Sequence, residues 1–316
     1  MQCRICHNER GNQEFTVLEM MFGSREPFIY FQCGACECLQ IATFPSDISK
    51  HYGPRYYSFS PARSHKGLKR LAVTLRDRFA VLNRPSVAKL LYARFPHPAL
   101  RSLAVLSPNR DTRILDVGCG AGALLHSLRE MGWSNLLGVD PFNPAPINYP
   151  NGLQIEKAFI EDIDKEWDIV IFNHSFEHIS DPRGTLRAVH RLLRKGGTCL
   201  LRLPTVPCYA WDHYGVNWVQ VDAPRHFYLH SPRSLELLSN DTGFHLASCV
   251  YDSTGFQFWG SEQYKRGIPL SDPAAFESNG RSRIFSKQQI AAFSVRANQL
   301  NLDRRGDQAV FYLTRE

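Results

Sequence analysis

Nine cysteines occur in the chain, and four near its start have the spacing of metal ligands. They form two C-x-x-C pairs, which are Cys3 with Cys6 and Cys33 with Cys36. Each pair places two thiolates on one tight turn, and two such turns complete a tetrahedral zinc site. Since the protein would supply all four ligands, we expect a structural Zn²⁺. Free thiols are the alternative, and Cys38 or His7 could replace one ligand.

A glycine-rich loop in the middle of the chain indicates a second kind of site. Residues 113–117 have the pattern of a short buried strand, and Gly118-Cys-Gly-Ala-Gly122 follows directly. Leucines at helical spacing come next, and a second strand at residues 136–139 ends at Asp140. Glycines let the backbone approach a ligand closely, and an acid at this position accepts hydrogen bonds from ribose hydroxyls. The pattern therefore predicts a nucleoside site.

Asp116, two residues before the first glycine, restricts the class of ligand that this loop can bind. The loop reads G-x-G-x-G, which differs from the G-x-G-x-x-G fingerprint of dinucleotide-binding proteins. A carboxylate here is unfavourable for a pyrophosphate and favourable for a cation. S-adenosylmethionine carries a sulfonium, an ammonium and a ribose, and no phosphate. We therefore expect S-adenosylmethionine as the cofactor.

Five segments in order resemble the class I S-adenosylmethionine-dependent methyltransferases. They are the loop at 114–122, the ribose-binding strand end at 138–140, the adenine pocket at 159–162, the fourth strand at 167–172 and the donor-facing loop at 173–178. The resemblance implies an enzyme of the α/β class, with a Rossmann-like seven-stranded sheet and helices on both faces. The cofactor-binding residues that it implies are Asp116, Gly118, Cys119, Gly120, Asp140, Pro141, Ile160, Glu161, Asn173 and His174.

The later elements follow the same order. Pro182 begins a predicted helix that ends at residues 195–197, and Ser231 with Pro232 begins another. The last three strands are predicted at residues 198–203, 244–251 and 309–314. The chain between the last two strands, at about 252–308, is then an insertion in the core.

A zinc-binding segment fused to this core resembles the sugar methyltransferases of deoxysugar and polysaccharide biosynthesis. Their carbon-methylating members carry an acidic–His pair before a late helix, similar to residues 222–226 here. In this chain Arg225 stands where the carboxylate next to His226 is expected, which favours transfer to a hydroxyl. A neutral imidazole accepts a proton near pH 7, so His226 is the first candidate base and His178 the second. The predicted catalytic residues are His226, His178 and Arg225.

Several other functions stay open. The acceptor could be a sugar carbon, an RNA or a small aromatic compound, and a zinc-ribbon interaction protein on a degenerate core is a non-catalytic alternative. The intact residues Asp116, Gly118, Gly120 and Asp140 argue against a degenerate donor site. Residues 173–176 read Asn-His-Ser-Phe and lack the Asn/Asp-Pro-Pro-Tyr/Phe signature of adenine amino-group methylation.

Composition and charge limit the class of protein. The 316 residues are 43% hydrophobic and 21% charged, which is ordinary for a globular protein and excludes collagen-like or extensively disordered chains. No apolar run reaches the roughly 18 residues of a membrane-spanning helix, and the first residues lack a secretory signal. We therefore expect a cytoplasmic protein.

The net charge of +7 comes from one basic segment of the chain. Residues 62–113 contain twelve basic and two acidic residues, a net charge of +10, so the rest of the chain carries −3. The charge therefore does not indicate a nucleic-acid partner. The segment predicts amphipathic helices that cap the core with a solvated face or contact the anionic inner face of a membrane. Attraction of the diphosphate of a nucleotide sugar and binding of RNA stay open as alternatives. The predicted domains are a zinc ribbon at 1–45, a basic helical linker at 46–110 and the methyltransferase core at 111–316.

Overall fold

A computed structural model describes residues 1–52, 65–276 and 284–316. The chain divides into two compact units. Unit 1 comprises Met1–Pro54, Phe176–Arg183 and Leu203–Phe311. Unit 2 comprises Arg55–Ser175, Gly184–Arg202 and Tyr312–Glu316. The predicted domain boundaries follow a different grouping and stay a prediction. Residues 62–64 of the basic segment and 277–283 of the predicted insertion lie outside the described residues.

The elements are numbered in chain order. The strands are β1 Gln13–Leu18, β2 Pro27–Gln32, β3 Leu39–Ile41, β4 Ile114–Val117, β5 Leu136–Val139, β6 Ile147–Asn148, β7 Gln154–Glu156, β8 Trp167–Asn173, β9 Leu193–Pro204, β10 Tyr228–Leu229, β11 Phe244–Tyr251 and β12 Gln308–Arg315. The helices are α1 Gly67–Leu82, α2 Lys89–Arg94, α3 Pro98–Ser102, α4 Ala123–Glu130, α5 Pro182–Leu192, α6 Tyr209–Tyr214, α7 Pro232–Asp241, α8 Phe256–Lys265 and α9 Lys287–Leu302.

Unit 1 contains a small sheet in the order β1-β2-β3-β10. Strands β1 and β2 form an antiparallel hairpin between the two cysteine pairs. Strand β3 pairs antiparallel with β10, so the N-terminal ribbon and the chain near residue 228 share one sheet. Helix α7 begins at Pro232, where the Ser231 side chain accepts a hydrogen bond from the Ser234 N–H, as the sequence predicts.

Unit 2 contains a mostly parallel sheet in the order β12-β9-β8-β4-β5-β7-β6, to which β12 contributes residues 312–315. Strands β4 and β8 are almost entirely buried, which explains why apolar residues are adjacent in their sequences rather than alternating with polar ones. Strand β11, which lies in unit 1, is the hydrogen-bonded neighbour of β12. The six core strands that were located from the sequence are present, β7 is the third strand that the sequence did not locate, and β6 is a further two-residue strand. The predicted α/β class is confirmed.

The fifth strand begins earlier than predicted. Strand β9 starts at Leu193 rather than at residue 198, and helix α5 ends at Leu192. The sequence Lys-Gly-Gly at 195–197 was expected to end the helix. Instead Gly196 adopts a positive φ of 73° within the strand, and the pairing of β8 with β9 shifts register between Trp167 and Ile169. The glycines therefore form an irregularity inside the strand.

Helices α1, α2 and α3 form from the basic segment in unit 2. Helix α1 buries only Asp77, Ala80 and Val81, all in its second half, and α2 buries none of its residues. Among the described helices, none is both long enough and apolar enough to cross a membrane.

Candidate active site and metal centre

The glycine loop and Asp140 are joined by hydrogen bonds in unit 2. We call residues 116–122 the donor loop. The N–H of Gly120 donates to Asp140 Oδ2 at 2.8 Å, and the N–H of Phe142 donates to Asp140 Oδ1 at 2.9 Å. The N–H of Gly118 donates to the carbonyl of Val139 at 2.8 Å. The end of β5 thereby holds the loop that follows β4, and Asp140 orders the loop while keeping lone pairs for a ribose.

Ser175 and Asn143 also contact the donor loop, and the contact with Ser175 explains why residue 118 is a glycine. Gly118 has a φ of 67°, and a Cβ built on it would lie 2.5 Å from Cβ of Ser175. The Ser175 hydroxyl donates to the carbonyl of Val117 at 2.6 Å, which fixes Ser175 against the loop. Asn143 donates to the carbonyl of Gly120 at 2.7 Å. Neither Ser175 nor Asn143 was singled out from sequence, because each acts through its position in space beside a motif.

Asp116 is the residue that best identifies the ligand of this loop. Its side chain is buried, and its Oδ1 has no hydrogen-bond partner among the described residues. Burial, together with the nearby charge of Asp140, raises the pKa of Asp116 to about 8. Burial also raises the pKa of Asp140. An unsatisfied buried carboxyl group gains from a cation, so these residues fit S-adenosylmethionine.

Six predicted cofactor residues remain: Cys119, Pro141, Ile160, Glu161, Asn173 and His174. Arg202 donates from Nη1 to Asn173 Oδ1 at 3.2 Å and to His174 Nε2 at 2.8 Å, so both side chains are held at the end of β8. Cys119 donates its N–H to the carbonyl of Val139 at 3.3 Å, and Pro141 follows Asp140 directly. Ile160 and Glu161 lie in a short 3-10 helix, and no hydrogen bond within the described part of the chain links that helix to the donor loop.

Unit 1 brings the predicted catalytic residues together. We call Glu19, Glu177, His178, Asp222, Arg225 and His226 the histidine–carboxylate cluster. His226 Nδ1 lies 2.7 Å from the carbonyl of Gln220, and a carbonyl only accepts, so Nδ1 carries the proton. The lone pair of neutral His226 is therefore on Nε2. That atom lies 3.8 Å from Asp222 Oδ2 and 3.9 Å from Glu177 Oε1.

His178 packs edge-on against His226, with ring centroids 4.8 Å apart. Its Nδ1 donates to the carbonyl of Arg225 at 2.8 Å, and the Tyr52 hydroxyl lies 3.2 Å from the same atom. Burial, aided by the neighbouring His226, lowers the pKa of His178 to about 4. His178 is therefore neutral at pH 7.

Arg225 is completely buried and bridges two carboxylates. It binds Asp222 through Nε and Nη2, Glu19 Oε1 through Nη2 at 3.1 Å, and the carbonyl of His51 through Nη1 at 3.0 Å. Although burial opposes ionisation of Asp222, Arg225 holds the pKa of that carboxyl below its usual value. The role of Arg225 in this geometry is to hold Asp222. No sequence signal pointed to Glu19, which lies 206 residues before Arg225 in the chain.

The structure changes one argument from sequence. Arg225 was thought to replace the carboxylate beside His226, but Glu177 and Asp222 both supply carboxylates near the His226 ring. Residues 173–178 and 222–226 had been noted for other reasons. The sequence does not show which of their side chains are in contact.

The four predicted metal ligands also come together in unit 1. The sulfur atoms of Cys3, Cys6, Cys33 and Cys36 all lie within 4.8 Å of one another and form no disulfide. Cys3 and Cys36 are 3.6 Å apart, and Cys6 and Cys33 are 3.5 Å apart. A tetrahedron of thiolates around Zn²⁺ has edges of about 3.8 Å. The two turns match, because His7 and Glu37 each donate an N–H to the carbonyl of the first cysteine of their pair.

Comparisons with known proteins address the core of the chain. A family model described as a methyltransferase domain matches residues 89–248, just over half of the chain. The ubiquinone biosynthesis O-methyltransferase of Pseudomonas aeruginosa (strain UCBPP-PA14) is 30% identical over 101 residues, which cover 28% of this chain and 43% of that protein. The same enzyme of Pseudomonas putida (strain GB-1) is 30% identical over 97 residues, which cover 27% and 41%. The match thus spans less than half of these curated relatives.

Solved structures give weaker matches. A methyltransferase dependent on S-adenosylmethionine from Archaeoglobus fulgidus is 18% identical with a TM-score of 0.43, and the match covers 72% of this chain and 99% of that one. The cyclopropane synthase MmaA2 from Mycobacterium tuberculosis is 17% identical with a TM-score of 0.40, covering 65% and 78%.

Proposed function

We propose that this chain, which belongs to the methyltransferase domain family, is an S-adenosylmethionine-dependent methyltransferase that methylates a sugar hydroxyl. The acceptor is a nucleotide sugar, a glycan or a lipid-linked glycan. The observation that carries the proposed mechanism is the geometry of His226. Its Nδ1 is held by the Gln220 carbonyl, so Nε2 is the basic atom.

Residues of unit 2 would hold the methyl donor. Asp116 supplies a buried carboxyl for its positive groups, and Asp140 accepts hydrogen bonds from its ribose. When bound, S-adenosylmethionine supplies a methyl group on a sulfonium, which is open to in-line attack. Most of the catalysis is then positioning of the acceptor and removal of its proton.

His226 would take the proton of the acceptor hydroxyl at Nε2. The resulting imidazolium is stabilised by the two carboxylates within 4 Å, those of Glu177 and Asp222. Arg225 holds Asp222 in place, and His178 packs against the ring of His226. In this proposal His226 is the base, while His178 and Arg225 keep it in position.

An oxygen acceptor is supported by the curated relatives, which are named as O-methyltransferases. A sugar carbon is the second candidate, because the carboxylates of Glu177 and Asp222 give His226 the acidic neighbour that the carbon-methylating sugar enzymes carry. The two differ in the product, since an O-methyl and a C-methyl group are separated by their carbon chemical shifts in NMR.

The His226→Ala variant tests the mechanism. We expect turnover to fall by about 10²- to 10⁴-fold, as for loss of a general base, with unchanged affinity for S-adenosylmethionine in a calorimetric titration. The matched control is His245→Ala, which removes an exposed histidine of the same unit and should leave turnover unchanged. Near-normal turnover in His226→Ala would exclude it as the base.

The acceptor is tested by transfer of a labelled methyl group to separate pools of nucleotide sugars, glycans and RNA. We expect label in a sugar-containing fraction. Label in RNA alone, or in small aromatic compounds alone, would overturn the proposed acceptor while leaving the methyltransferase assignment intact.

We also propose that Cys3, Cys6, Cys33 and Cys36 bind a structural Zn²⁺. The sulfur spacing and the backbone N–H groups of Ile5 and Ala35, which point at Cys3 and Cys33 from 3.4 Å, suit thiolate ligands. Elemental analysis should find one zinc per chain, lost in Cys6→Ser and retained in Cys249→Ser, which removes a cysteine outside this cluster. Full zinc content in Cys6→Ser would contradict the site.

A further inference from the structure

Helices α1 and α2 of unit 2 expose apolar side chains to an unusual degree. Leu68 is 85% exposed and Leu90 is 83% exposed. Each has an exposed apolar neighbour three residues away in the chain, Leu71 and Val87 respectively, and Phe95 is also exposed. Residues three apart lie on one side of a helix, so Leu68 and Leu71 form one apolar face of α1. We call residues 65–95 the basic apolar surface.

The charges of this surface have one sign. Asp77 is the sole acid in residues 65–95, and it is buried and paired with Arg76 at 2.5 Å. Arg70 pairs with Glu130 at 2.8 Å. Six other basic residues make no ion pair with any residue that the structure describes: Lys66, Lys69, Arg78, Arg84, Lys89 and Arg94. The surface therefore combines uncompensated positive charge with exposed leucines.

We propose that the basic apolar surface binds the face of an anionic lipid bilayer. Apolar side chains flanked by lysine and arginine are suited to insertion at the lipid headgroups, where the leucines leave water and the cations meet anionic lipid. An RNA would use the charge but would leave Leu68 and Leu90 in water. This inference does not depend on which acceptor is methylated.

Co-sedimentation of the full chain with lipid vesicles tests the proposal. We expect binding to vesicles of mixed phosphatidylglycerol and phosphatidylcholine, weaker binding at high salt, and little binding to phosphatidylcholine alone. The double variant Leu68→Glu/Leu90→Glu should lower the partition coefficient on the order of 100-fold. The double variant Lys66→Gln/Lys69→Gln should lower it about 25-fold, by a factor of about five for each charge.

The matched control is Leu302→Glu, which adds an acid at a leucine that is 79% exposed at the end of α9 in unit 1. This variant should bind vesicles like the unaltered chain. Because the substituted leucines are exposed, all variants should fold and retain affinity for S-adenosylmethionine in a calorimetric titration. Equal loss in Leu302→Glu and in Leu68→Glu/Leu90→Glu would overturn the proposal. So would binding to RNA or to an acidic protein without binding to anionic vesicles.

Discussion

The donor loop and the histidine–carboxylate cluster are built in opposite ways. The donor loop is a continuous segment whose geometry is set by local backbone hydrogen bonds and by Asp140, about 20 residues away. The cluster collects Glu19, Glu177 and residues 222–226 from three distant parts of the chain around one buried arginine. A local motif needs suitable backbone conformations, whereas a dispersed cluster of charges needs compensation for burial. Substitutions in the two regions should therefore impair stability or cofactor binding for different physical reasons.

The largest effect is expected from Arg225→Met. It leaves Glu19 and Asp222 as buried carboxylates without their cation, which costs about 3–5 kcal/mol of the free energy of unfolding. The control is Arg305→Met in the same unit, because the pair of Arg305 with Asp212 is about half exposed and should contribute at most about 1 kcal/mol. Urea unfolding of both variants measures the difference. Equal losses would show that the cluster is not stabilised by the buried arginine.

A second effect, which depends on pH, is expected from Asp116→Asn in the donor loop. The pKa of Asp116 is about 8 in the folded protein and near 3.8 in an unfolded chain, so the folded state holds the proton more tightly. This contribution is fully present below about pH 4 and is lost as the pH rises to about 8. Unfolding experiments across this range should show the free energy of unfolding of the unaltered chain falling by several kcal/mol relative to that of Asp116→Asn.

The same group links S-adenosylmethionine binding to pH. A cation favours the ionised carboxylate, so the affinity of the unaltered chain should rise by up to about tenfold per pH unit between pH 6 and 8. The affinity of Asp116→Asn should be weaker at pH 8 and should change less with pH. Calorimetric titrations at several pH values measure both trends. An affinity with the same pH dependence in both proteins would mean that Asp116 does not face the donor.

This contrast explains how much could be predicted from the sequence. The order of strands, the donor loop and the four cysteines follow from local spacing, because glycine positions and C-x-x-C turns act over a few residues. Ser175 and Asn143, which complete the donor loop, carry no local signature. His226 was selected for its imidazole, but its neighbour Glu177 and the Glu19 that binds Arg225 depend on how distant segments meet, which periodicity does not encode. The start of β9 was misplaced for a related reason, since glycines were read as a helix end although pairing with β8 continues past them.

The smallest effect in this comparison isolates one contact of the donor loop. Gly118→Ala and Gly196→Ala both place alanine at a positive φ, of 67° and 73°, so both should lose about 1 kcal/mol from backbone strain. At Gly196 the added Cβ meets no atom within 4 Å, whereas at Gly118 it would lie 2.5 Å from Cβ of Ser175. Gly118→Ala should therefore lose about 1–2 kcal/mol more in urea unfolding and should also bind S-adenosylmethionine more weakly. The two glycines share a backbone conformation and differ in their surroundings. Equal losses in the free energy of unfolding would therefore mean that Ser175 moves aside, and that backbone conformation alone accounts for the glycine at 118.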